Sequence, residues 1–162
     1  MKSLAAGLAA ATALLLLATD APLPPKQPVP YSHKQHIAQG LQCKNCHTNP
    51  DPGETMGIPS VKVCMGCHTA VKTDSPHIQK LARHAAEKTE PPWVRVYRIP
   101  SYVFFSHKVH VESGAKCETC HGPVATREAL WKETNISMGA CMECHRQNKA
   151  SIDCTYCHEP RQ

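Results

Sequence analysis

Aromatic side chains are scarce in this chain, with two Phe, two Trp and four Tyr making 5% of its 162 residues, while proline occurs 14 times. So few large apolar groups among so many helix and sheet breakers would make a poor side-chain core for the roughly 130 residues that follow the N-terminal segment. Long hydrophobic runs are missing after Ala18, so no segment beyond it approaches a transmembrane length. Free cysteine is missing too. All ten cysteines fall into five copies of one pentapeptide, C-x-x-C-H.

The copies run from Cys43 and Cys46 to His47, Cys64 and Cys67 to His68, Cys117 and Cys120 to His121, Cys141 and Cys144 to His145, and Cys154 and Cys157 to His158. This spacing is the attachment signature of c-type haem: two thiols bond to the porphyrin vinyl groups and the adjoining histidine takes the proximal side of the iron. Histidine is only 11 of 162 residues, so five coincidences after cysteine pairs have a probability of about one in a million. Structural zinc would leave an odd half-site and surplus histidines. Five disulfides of a secreted domain would leave the histidines unexplained. Five covalently bound haem c groups are therefore expected, and their porphyrin plates supply the core that the side chains lack.

Lys2, the apolar run Leu4 to Ala18 and the small residues up to Ala21 read as a secretory signal over residues 1–21, or as a short N-terminal anchor. An exported domain on the periplasmic side of a bacterial inner membrane follows from that reading. Residues 22–30, Pro-Leu-Pro-Pro-Lys-Gln-Pro-Val-Pro, are expected to form an extended tether. The formal charge of +5 belongs to the apoprotein. With about −1 per ferric and −2 per ferrous haem, the loaded protein lies near neutral when oxidised and about −5 when reduced, so the basic balance is no sign of nucleic-acid binding.

The chain also repeats itself. Tyr31-Ser32-His33-Lys34-Gln35-His36, Gly40 and the first motif recur as Phe105-Ser106-His107-Lys108-Val109-His110, Gly114 and the third motif at a constant offset of 74 residues. The second and fourth motifs correspond at an offset of 77. This divides the chain into a first two-haem repeat at 31–68, a linker at 69–104, and a second two-haem repeat with the fifth haem at 105–162. Each copy brings two histidines outside its motifs, which matches its two haems. His33, His36, His107 and His110 are thus candidates for the sixth iron position. Residues three apart on a helix lie about 5–6 Å from each other. They are too close to sandwich one porphyrin and well placed to reach two.

The aromatic-x-His-x-x-His element followed by C-x-x-C-H resembles the class III multihaem cytochromes c. That resemblance implies that His33 ligates the haem of His47 and His107 that of His121, while His36 and His110 reach other haems. The order of the five motifs, with Pro92-Trp93-Val94-Arg95-Val96 and Phe104-Phe105-Ser106-His107 between them, resembles the pentahaem subunit of alternative complex III, a bacterial quinol-oxidising assembly. The resemblance covers approximately Val29 to Cys157. The fold class expected is mainly α and irregular, a multihaem cytochrome c fold of short helices around five haems with little β structure.

The fifth haem needs a ligand from outside the repeats. Met138 stands three residues before Cys141, where the first copy has Val61, and a His/Met haem would have a higher potential than its neighbours. His77 and His84 in the linker are the alternatives. Met56 and Met65 read as gap-fillers. Trp93, Tyr97, Phe104, Phe105 and Trp131 are expected to pack against porphyrin faces. A helix is expected around Ile78 to Ala86, and a short extended strand within Trp93 to Phe105.

These observations point to an electron carrier rather than an enzyme. Its partners would be iron–sulfur or quinol-reactive membrane subunits and periplasmic cytochromes. The alternatives are a freely diffusing shuttle and a small reductase with one open haem.

Overall fold

The computed structural model describes residues 22–48 and 56–159; the expected signal segment lies outside them. Among the described residues there is no β-strand, and short helices are joined by long irregular connections. In chain order these are α1 (His33–Ile37), α2 (Cys43–Cys46), α3 (Val61–His68), α4 (Pro76–Ala86), α5 (His107–Glu112), α6 (Cys117–His121), a 3₁₀ turn (Val124–Thr126), α7 (Met138–Gln147) and α8 (Cys154–His158). None of the described helices is long and apolar enough to cross a membrane.

Local chemistry explains where the helices begin. Ser32 and Ser106 occupy the same place in the two repeats, and each hydroxyl accepts from an N–H of the first turn, Gln35 at 3.0 Å and Val109 at 3.3 Å. Gly40 and Gly114 then reverse the chain at φ +84° and +89°, a region that favours glycine. Every haem motif lies on or at the end of a short helix. One turn of helix aims both thiols and the histidine to the same side.

The helix expected around Ile78 to Ala86 is α4, begun by Pro76 at its first position. The expected strand within Trp93 to Phe105 is absent. The N–H and C=O of Val94 are both engaged by the side-chain amide of Gln27, at 3.0 and 2.9 Å, so no neighbouring strand is needed to satisfy them. Pro100 introduces a turn closed by Val103 N–H to the Pro100 carbonyl at 2.9 Å.

The side-chain core is small. Among the described residues Val29, Val61, Ile78 and Leu81 form a buried apolar cluster, with Cys64, Met65, Ala85 and Trp93 packed against it. It forms where α4 crosses α3 and receives Val29 from the proline-rich segment, so that segment is fastened to the domain. Lys80 donates to the Pro28 carbonyl at 2.9 Å beside it. From residue 101 to 159 no residue is buried. The second half therefore has no apolar interior of its own side chains, as the scarcity of aromatics foretold.

Contacts between the repeats run through α1 and the 3₁₀ turn. Lys34 N–H donates to the Arg127 carbonyl at 3.1 Å, and Gln35 donates to Glu128 at 3.2 Å. Arg127 pairs with Glu133 through two parallel bonds of 2.8 and 2.6 Å and lies 5.0 Å above the Trp131 ring. The bidentate bond raises the guanidinium pKa further and holds the Glu133 carboxyl below the usual range.

Candidate haem-binding site

Four of the motif histidines each face one of the repeat histidines. The ring centroids of His33 and His47 are 6.3 Å apart with planes 8° from parallel, and those of His107 and His121 are 6.3 Å apart at 9°. His36 faces His68 at 6.2 Å, and His110 faces His145 at 6.0 Å. A metal–imidazole bond of about 2.0 Å puts the ring centroid about 3.2 Å from the metal, so two imidazoles on opposite sides of one metal lie about 6.3 Å apart. The four separations match that value. Each repeat thus directs its first histidine to its first motif and its second histidine to its second motif.

The other ring nitrogen supports the same arrangement. His47 donates from Nδ1 to the Gly57 carbonyl at 2.8 Å, His68 to Val71 at 2.9 Å, His145 to Ser151 at 2.5 Å and His158 to Tyr102 at 3.2 Å. His36 and His110 donate to the carbonyls of Ser32 and Ser106, both at 2.7 Å. A carbonyl can only accept, so the proton sits on Nδ1 and Nε2 keeps the lone pair a metal requires. The Nδ1 atoms of His33 and His107 are buried without a partner. Burial holds these two rings below the usual histidine range, with His33 at about 4, and the neighbouring histidines add to the effect. His121 is lowered by burial first and then by His47.

The aromatic residue that opens each repeat positions both histidines. Tyr31 stacks on His36 at 4.4 Å and meets His33 edge-on at 4.7 Å; Phe105 does the same to His110 at 4.4 Å and His107 at 4.8 Å. Burial pushes the Tyr31 phenol up to about 12. Phe105 has no hydroxyl, so the ring is the shared requirement. Sequence reasoning assigned Phe105 only to a porphyrin face and gave Tyr31 no role, although the aromatic was the first residue of the repeat.

Tyr97 also makes contacts that sequence reasoning missed. Its hydroxyl accepts from the N–H groups of Glu133 and Thr134 at 3.0 and 3.2 Å and donates to the His121 carbonyl at 3.4 Å. Its ring meets that of His121 edge-on at 4.8 Å. These partners lie far along the chain, where no local pattern signals them.

Burial raises several of the thiols, and a neighbouring thiol adds to the shift of each. Cys67 adds to the upward shift of Cys46, whose first cause is burial. After burial, Cys43 acts on Cys117 by charge and by a side-chain hydrogen bond. Cys141 and Cys144 act on Cys120, and Cys157 acts on Cys141. Phe105, His110, Cys120, Cys141, Cys144 and His145 surround a recess of about 100 Å³. Phe104 N–H donates to the Cys157 carbonyl at 2.7 Å, which ties α8 to the end of the linker.

Met138 begins α7 and is exposed. His77 is exposed on α4, and His84 shares a hydrogen bond with the Thr89 hydroxyl at 2.9 Å. Among the described residues no ring contact joins another histidine to His158, whose ring stacks with Tyr102 at 6.0 Å. The paired cysteines, the facing imidazoles and the protonated Nδ1 atoms fit covalently attached haem.

Similarity to known proteins agrees. Residues 16–92 match the class III cytochrome c family, and residues 103–159 match the family of cytochrome c7 and related cytochromes c. A curated protein of Nitratidesulfovibrio vulgaris, "Menaquinone reductase, multiheme cytochrome c subunit", is 27% identical over an alignment covering 83% of this chain and 77% of that protein. The chain is thus similar in its first part to the class III family and in its second to cytochrome c7 and related cytochromes c.

Proposed function

We propose that the protein binds five haem c groups and carries electrons between a quinone-linked membrane assembly and other redox proteins on the periplasmic side of a bacterial inner membrane. When bound, each haem iron supplies reversible one-electron oxidation and reduction. The chain's part is to hold the attachment sites close together and to set the basicity of each axial imidazole. The observation that carries this reading is the set of four facing histidine pairs at 6.0–6.3 Å. Paired ligands leave no iron position for a substrate at those four sites, which favours carriage over catalysis.

The thiol neighbours support one order of attachment sites: Cys64–His68, Cys43–His47, Cys117–His121, Cys141–His145, Cys154–His158. The repeat boundary then falls in the middle, at Cys43 and Cys117, and the two ends are the natural points of entry and exit. The match to a subunit of a menaquinone reductase supports a quinone-linked assembly. The motif order favours a quinol-oxidising one of the alternative complex III type, in which iron–sulfur or quinol-reactive subunits donate and a periplasmic cytochrome accepts. Met138 is the proposed distal ligand at Cys154–His158, with His77 and His84 as its alternatives.

Haem counting by pyridine haemochrome on the purified holoprotein, with EPR of the oxidised state, tests this. Five haems per chain with predominantly low-spin signals are expected. A smaller count, or a large high-spin ferric component that shifts with cyanide or nitrite, would overturn it.

A further inference from the structure

We infer that, of the four sites with paired histidines, Cys117–His121 holds the haem of highest potential, because its two axial imidazoles have no carbonyl to donate to. The inference rests on the ligand reading above.

The four pairs differ in the hydrogen bonds of their outer nitrogens. At Cys64–His68 both rings donate to carbonyls, His36 to Ser32 at 2.7 Å and His68 to Val71 at 2.9 Å. At Cys141–His145 both do so as well, His110 to Ser106 at 2.7 Å and His145 to Ser151 at 2.5 Å. At Cys43–His47 one does: His47 donates to Gly57 at 2.8 Å, and His33 Nδ1 is buried and unpartnered. At Cys117–His121 neither does. His107 Nδ1 is buried and unpartnered, and His121 Nδ1 makes no hydrogen bond among the described residues; the ring has the edge of Tyr97 beside it instead.

An Nδ1–H shared with an acceptor makes the imidazole more electron-rich and a stronger base toward the metal. A stronger base favours the ferric over the ferrous state and lowers the potential. Removing that support from both ligands raises it. The sites at Cys43–His47 and Cys117–His121 provide an internal comparison, since their ring pairs have the same 6.3 Å separation and planes 8° and 9° from parallel. They differ in the Gly57 bond. That bond comes from the loop after the first motif, whereas directly after His121 the chain turns at Gly122 with φ +72°.

Charged residues within the motifs act the other way. Lys44 would raise the potential at the first site and Glu118 lower it at the third, but both are exposed and their fields are screened. The ligand term acts directly on the metal. Potentials therefore fall off from the middle of the array, in the order Cys117–His121, then Cys43–His47, then the two outer pairs.

The test is an NMR-monitored redox titration of the intact holoprotein, with haem methyl resonances assigned to each site through contacts to its axial histidines. On lowering the potential, the haem at Cys117–His121 is expected to be the first of these four to be reduced. Its reduced-to-oxidised ratio should exceed that of either outer pair by about tenfold, the size of effect such outer contacts have on metal sites. First reduction at any of the other three overturns the inference. Loss of the paired low-spin signals themselves would instead overturn the ligand reading, so the two failures are distinct.

Discussion

His36 faces His68 with 6.2 Å between ring centroids, and the main-chain carbonyl of Ser32 holds it there through Nδ1 at 2.7 Å. His110 stands to His145 and Ser106 in the same way. His36→Ala should therefore convert one haem, that of Cys64–His68, to high spin and leave the other paired haems low-spin; His110→Ala should do so at Cys141–His145. EPR of the oxidised variants reads this directly. A variant in which the haem of Cys43–His47 changed instead would show that the pairing is different.

Tyr31 and Phe105 offer a second check. Alanine at either position removes two ring contacts, each worth about 0.5–1.5 kcal/mol beyond buried area. A lower thermal midpoint is expected. Tyr31→Phe should be nearly neutral, because the second repeat performs the same packing with phenylalanine.

Much of this was legible in the sequence. The C-x-x-C-H spacing is local, and the 74-residue repeat marked His33, His36, His107 and His110 as a duplicated set. The α4 helix showed in its own pattern from Ile78 to Ala86. What escaped was long-range. Val29 sits in a proline-rich stretch with no periodicity, yet it belongs to the buried apolar cluster. Gln27 satisfies Val94 in place of a strand, and Tyr97 bridges to Glu133, Thr134 and His121; a single side chain reaching a distant backbone leaves no pattern to read.

The Arg127–Glu133 pair gives a pH-dependent prediction. Glu133 is held below its unfolded value, so its contribution is fully present above about pH 4.3 and is lost as pH falls through the lower folded value. Glu133→Gln should lower the thermal midpoint at pH 7, and the difference from the parent protein should vanish at pH 2–3. Melting curves of both holoproteins across that range check it. A difference that persisted in acid would mean the carboxylate charge is not what matters.

Met138→Leu distinguishes the candidates for the fifth distal ligand. One haem should become high-spin and its potential should fall, while His77→Ala and His84→Ala leave the spectrum unchanged. The reverse pattern would assign the ligand to α4.

Chain produced without haem attachment should show no cooperative melt. Hydrogen exchange should find its only residual protection around Val61, Ile78 and Leu81, because residues 101–159 bury no side chain of their own.

That unburied second half has a consequence for how the protein is made and kept. A ligand that binds reversibly stabilises a fold by an amount that grows with the logarithm of its free concentration and fades on dilution; thioether-linked porphyrin would stay with the chain at any dilution. Stability is then settled once, during maturation, by how many of the five motifs were filled. A chain lacking one plate would lack part of its interior, because residues 101–159 bury no side chain of their own.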